Sequence, residues 1–72
     1  MKQEQIGLNA GITWRILSTE NKKMTFDELA IKTALPPLEL AAAIGWLSRE
    51  DKILFYFENE EEHYAVYQEC YY

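Results

Sequence analysis

Thr25-Phe26-Asp27-Glu28-Leu29-Ala30-Ile31-Lys32-Thr33-Ala34-Leu35-Pro36-Pro37-Leu38-Glu39-Leu40 holds two helix starts and one helix stop. Thr25 and Glu28 have the spacing of a capping box. The threonine hydroxyl satisfies the amide at the third helical position, and the glutamate there reaches back to the threonine amide. Met24 and Leu29 occupy the two positions of a hydrophobic staple. Phe26, Leu29, Ala30 and Thr33 then share one face of a second helix in the chain. That helix stops near Ala34, because Pro36 disfavours helical angles at Leu35. Pro37 suits the first position of a third helix, where a missing N–H costs nothing. Glu39 complements the positive end of its dipole. Leu40, Ala43, Ile44 and Leu47 fall within one stripe and form its core face, and the helix is predicted to end at Arg49 or Glu50. Two helices joined by a turn this tight are the centre of the fold.

Upstream, a first helix is predicted over Ile6–Ser18. Ile6, Ala10, Trp14 and Leu17 fall on one stripe, and Leu8, Ile12 and Ile16 on a second, nearly opposite. A helix apolar on two sides needs two partners, its own core and a further surface. Gly7 and Gly11 weaken it, which suggests close backbone approach there. Downstream of the Asp51-Lys52 turn the hydrophobic period changes. Ile53-Leu54-Phe55-Tyr56-Phe57 is β-branched and aromatic, and His63-Tyr64-Ala65-Val66-Tyr67 reads as its returning strand. The connection Asn59-Glu60-Glu61 makes a hairpin with an acidic tip and sets Glu58 near Glu62. A lone hairpin is not stable in water, so it packs on the helices.

Three helices followed by a two-stranded hairpin give an α+β winged helix-turn-helix. One domain over residues 1–72 is expected, with the wing at about 53–67 and a tail at 68–72. At this point two motifs carry a resemblance. Ile6-Gly7-Leu8-Asn9-Ala10-Gly11-Ile12-Thr13-Trp14 and Ala43-Ile44-Gly45-Trp46-Leu47-Ser48-Arg49-Glu50-Asp51-Lys52-Ile53 are similar to the two hallmarks of a family of small bacterial winged helix-turn-helix domains of unknown function. The resemblance spans Ile6 to about Tyr67. It implies the fold and a homodimer, and no settled role.

The 72 residues carry seven basic and twelve acidic side chains, a net charge of −5. Residues 1–57 hold seven of each sign, so the whole excess lies in Glu58, Glu60, Glu61, Glu62 and Glu69. Proteins that bind nucleic acid neutralise phosphates with a basic face, and this chain has the opposite balance. In a helix-turn-helix the third helix here would enter the major groove. Its outward face is Leu38, Ala42, Gly45 and Arg49, flanked by Ala41 and Trp46. Arg49 alone has the chemistry for a bidentate contact to guanine, and it sits at the C-terminal end. Lys22, Lys23 and Lys32 remain as candidate phosphate contacts, while the acidic wing would repel the backbone. A DNA-binding transcriptional regulator is therefore the alternative reading, supported mainly by fold analogy.

The leading expectation is a regulatory or adaptor module that acts through protein–protein contacts as a homodimer. The candidate interface is Leu8, Ile12, Ile16, Leu38, Ala42, Gly45, Tyr56, Tyr71 and Tyr72. Small and apolar residues on an outward helix face permit close approach by a partner. The hairpin is apolar on both faces, unlike a sheet with one wet side, and tyrosine is favoured in interfaces.

Catalysis requires positioned groups in a pocket. One histidine, His63, and one cysteine, Cys70, show no partner pattern, and no glycine-rich phosphate loop is present. Glu60-Glu61-Glu62 lacks the spacing of a calcium loop. No enzyme activity, metal or cofactor is expected. One cysteine excludes an internal disulfide, the longest apolar run is too short to span a membrane, and no apolar leader is seen. A cytoplasmic location is the expectation.

Overall fold

A computed structural model of the chain describes residues 1–67. The elements are α1 (Gln3–Glu20), β1 (Met24–Thr25), α2 (Phe26–Thr33), α3 (Pro37–Arg49), β2 (Ile53–Glu58) and β3 (Glu61–Val66). The three strands form one antiparallel sheet in the order β1-β3-β2.

The centre of the fold forms as the sequence dictates. The Thr25 hydroxyl accepts from the Glu28 amide at 3.2 Å, and the Glu28 carboxylate accepts from the Thr25 amide at 2.8 Å. Met24 and Leu29 are both buried. α2 closes on Ala34, whose amide bonds Ala30 in a left-handed conformation, φ 59°. α3 begins at Pro37 and buries Leu40, Ala43, Ile44 and Leu47.

α1 departs from its predicted stripe in two ways. It is longer at both ends, ending on Asn21 in the left-handed region at φ 51°. Its buried face is also rotated. Ala10 and Leu17 are buried as expected, but Asn9 and Thr13 take the remaining core positions, while Trp14 is exposed and Ile6 half-buried. Both polar groups are satisfied, which is what makes their burial tolerable. Thr13 Oγ1 donates to the Asn9 carbonyl at 2.8 Å. Asn9 Oδ1 accepts from Gln5 at 3.0 Å, and its Nδ2 donates to Glu39 at 3.3 Å, tying α1 to the start of α3.

The sheet holds two further differences. Sequence reading placed Met24 only as a staple residue. It also lies in β1, with Met24 opposite Tyr64 and Thr25 opposite His63 on β3. The hairpin connection is two residues, not three. Asn59 and Glu60 both have positive φ, 52° and 61°, as a type I′ turn requires to match the strand twist. The register is therefore Glu58 opposite Glu61 and Phe57 opposite Glu62, which corrects the predicted Glu58–Glu62 pair. Ile53, Phe55 and Phe57 point to the helical side. Of these Ile53 is buried, Phe55 packs edge-on to Tyr64 at 5.3 Å between ring centroids, and Phe57 is 74% exposed.

Candidate protein interface

The outward face of α3 arises because its core stripe consumes Leu40, Ala43, Ile44 and Leu47, leaving the residues on the opposite side of the helix to face out. Leu38 is 73% exposed, Gly45 and Arg49 are exposed, Ala41 is exposed, and Ala42 is half-buried. Ala42 and Gly45 line a groove of about 380 Å³ with Ile6, Trp46, Arg49 and Glu50. The floor is apolar, and Arg49 and Glu50 lie at one end. Trp46 lies beside Gly7, where an added Cβ would sit 3.7 Å from its ring. That is an ordinary contact, and nothing lies within 4 Å of such an atom at Gly11. The glycines of α1 therefore do not mark a close backbone approach.

On α1 the second apolar stripe divides. Leu8 and Ile12 are exposed, at 65% and 42%, on the side away from the core. Ile16 is instead half-buried and packs against the protein's own core. Rotation of the buried face toward Asn9 and Thr13 brings Ile16 inward. Tyr71 and Tyr72, with Cys70, lie outside the described residues.

Two of the four candidate phosphate-contacting cations are already paired. Lys23 Nζ lies 2.8 Å from both Glu58 carboxylate oxygens and 5.1 Å from the centroid of the Tyr56 ring. This hydrogen bond and the lysine charge hold the Glu58 carboxyl below its usual range. Lys32 lies 3.4 Å from Glu20. Lys22 stands exposed beside the start of β1, and Arg49 at the end of α3. At the wing tip, Glu58, Glu60, Glu61 and Glu62 are all exposed. The wing tip thus offers phosphate a cluster of carboxylates, and Lys23, which reaches it from the turn before β1, is already paired to Glu58.

Glu28 is held below its usual range chiefly by the Thr25 amide. Tyr64 is pushed above its usual range by burial, and its hydroxyl donates to Glu62 at 3.1 Å. Both groups support local structure. Among the described residues, no group of three or more histidine, cysteine, aspartate or glutamate side chains is placed to hold a metal ion. No described helix is long and apolar enough to cross a membrane.

Sequence reading underestimated Phe55 and Phe57. It found both faces of the hairpin apolar without assigning either residue to the covered one, and the strand is longer than the helical layer beneath it. The available signal was length: six residues of β2 project from a connection only three residues beyond α3. Ile31 on α2, 80% exposed, was likewise not singled out, and Ile6, read on the core stripe of α1, lines the groove instead.

A capped helix pair joined by a tight turn, a supporting first helix and a hairpin packed on them define a winged helix. The chain belongs to the winged helix-turn-helix domain family DUF2582, which it matches over residues 1–68. It is similar to the solution NMR structure of protein BT2368 from Bacteroides thetaiotaomicron, with 33% identity and a TM-score of 0.80. That match covers 92% of this chain and 79% of the other. No curated protein matches the sequence.

Proposed function

We propose that this winged helix is a regulatory or adaptor module that works by protein–protein contact as a homodimer, without catalysis. One observation carries the reading. The two surfaces with which a winged helix grips DNA are here apolar and acidic. The outward face of α3 presents Leu38, Ala41, Ala42 and Gly45 where base-reading donors would stand. The wing tip presents four glutamates where phosphate-binding cations would stand, and Lys23 is already paired to Glu58. An apolar face left open on a helix, beside a groove lined by Ile6, Ala42, Gly45 and Trp46, suits contact with another protein.

The test is fluorescence anisotropy with a mixed-sequence DNA duplex at low and then moderate salt, with the mass measured on the same sample. The expected result is no salt-sensitive binding at micromolar protein, together with a dimeric mass. Salt-sensitive binding would give Lys22, Lys23, Lys32 and Arg49 a phosphate footprint and put transcriptional regulation in its place.

A further inference from the structure

We propose that two copies of the chain join through the free edge of β2, antiparallel and centred on Phe55, to make one continuous sheet. The inference rests on the homodimer reading above and names its surface.

Among the described residues β2 is an edge strand, because β3 lies between it and β1. In an antiparallel pair, successive residues direct their amide and carbonyl alternately toward and away from the partner strand. The Lys52 carbonyl accepts from the Tyr67 amide of the β3 side at 2.9 Å. Lys52 therefore faces β3, as do Leu54, Tyr56 and Glu58. Ile53, Phe55 and Phe57 direct their backbone groups outward. Natural edges are blunted by lysine, proline or a bulge. From Ile53 to Phe57 this one has none, and the ladder with β3 is regular along the strand.

A two-fold axis perpendicular to the sheet at Phe55 pairs each residue with its mirror position. Phe55 meets Phe55 of the partner copy, Ile53 meets Phe57, and Leu54 meets Tyr56. Every pair from Ile53 to Phe57 is apolar, and the outward backbone groups of residues 53, 55 and 57 meet one another. One step further, Lys52, which lies 3.7 Å from Glu50 of its own chain, meets Glu58, which holds Lys23, so positions of opposite charge face each other twice by symmetry. The same axis keeps both helical layers on one side of the sheet. Phe57, which its own helices leave 74% exposed, comes beside Ile53 of the partner copy, where the helical layer does cover the sheet. The edge is thus complementary to itself in backbone, side-chain type and charge.

Two measurements test it. The first is amide hydrogen exchange of the full chain across a range of protein concentrations. Protection of the Phe55 and Phe57 amides should rise with concentration, while Leu54, Tyr56 and Glu58, bonded to β3 in either state, hold steady. The second uses Lys52→Glu and Glu58→Lys, both exposed positions. Each variant alone brings like charges together twice and should weaken its dimer by roughly tenfold or more. An equimolar mixture restores both attractive pairs and should dimerise again. A dimeric mass with Phe55 and Phe57 amides unprotected overturns the β2 edge and leaves the homodimer reading standing. A dimer in which neither charge variant matters overturns it too. A monomeric mass at every concentration removes the edge and the homodimer together, and the folded state of each variant is checked by circular dichroism.

Discussion

The helical layer and the wing are built from equally apolar sequence and end in opposite conditions. Leu17, Leu29 and Leu40 are 0% exposed, and Leu47 is 2%. In β2, five of six residues are exposed, although five of the six are apolar or aromatic. The difference is geometric. Each helix has neighbours on its apolar side, so a buried leucine there is worth roughly 1.5–3 kcal/mol. β2 leaves the helical layer after Ile53, and beyond that point the described residues cover it only in part: Phe55 packs edge-on to Tyr64, and Phe57 is left 74% exposed. Composition alone does not distinguish a core strand from an exposed one. The length of the layer beneath it does.

The largest effect should separate the two regions outright. Leu40→Ala opens a cavity in the core cluster that also holds Leu17, Leu29 and Leu47 and is expected to cost about 2–5 kcal/mol. For a domain of this size that is a large fraction of the total stability. Phe57→Ala removes a larger side chain, yet under monomeric conditions it should change stability by no more than about 0.5 kcal/mol. Urea denaturation at low protein concentration reads both. A cost for Phe57→Ala close to that of Leu40→Ala would mean the wing is as much a core as the helices, and the contrast would fail.

What the sequence made legible follows the same division. α2 and α3 were readable because their signals are local: a capping box, two prolines and a stripe of four residues on one helix. The rotation of α1 was not, since scoring apolar positions favours Trp14 over Asn9. Asn9 is buried because its amide finds Gln5 on its own helix and Glu39 thirty residues away. β1 was missed because two residues become a strand only by meeting Tyr64 and His63. The hairpin was read correctly as a hairpin, but nothing local ruled out a three-residue connection, since Asn59-Glu60 lacks the glycine that usually marks a type I′ turn. Of the candidate interface, the outward face of α3 was legible from one helix alone. The groove with Ile6 needed the packing of α1 on α3, and Ile16 turned inward for the same reason.

A smaller effect sharpens the contrast through pH. Thr25→Ala removes one half of the capping box and should cost about 1 kcal/mol. Glu28, held low by the Thr25 amide, and Glu58, held low by Lys23, both favour the folded state when ionised. Their contribution is present above the ordinary value of 4.5 and fades as pH falls through their lowered folded values. Tyr64 behaves in reverse: raised above 10, its contribution is present below that pH and lost as pH climbs past it. Denaturation midpoints followed from pH 6 to 3 should fall for the wild type and fall less for Glu28→Gln. An unchanged slope in that variant would mean the box does not hold in solution. Because Glu28 caps α2 and Glu58 belongs to the wing, the matching variant Glu58→Gln shows which region yields first to acid.

The smallest effect asks whether the two regions unfold as one. Glu60 in the wing and Ala34 at the end of α2 both hold positive φ without being glycine, at 61° and 59°. Such a conformation strains a side chain that glycine lacks. Ala34→Gly should therefore stabilise the helical layer by about 0.5–1 kcal/mol. Glu60→Gly relieves the same strain and also thins the carboxylates at the tip. Glu60→Gln, which keeps the strain and loses the charge, separates the two terms. If the wing belongs to the cooperative unit, the gain of Glu60→Gly over Glu60→Gln should appear in global unfolding, with a size close to that of Ala34→Gly. If Ala34→Gly raises global stability and the wing variants leave it unmoved, the hairpin beyond Ile53 opens independently at low cost. An edge that opens that easily would have to be ordered by its partner, so the same two measurements set how much of the β2 pairing energy is spent on building the strand it uses.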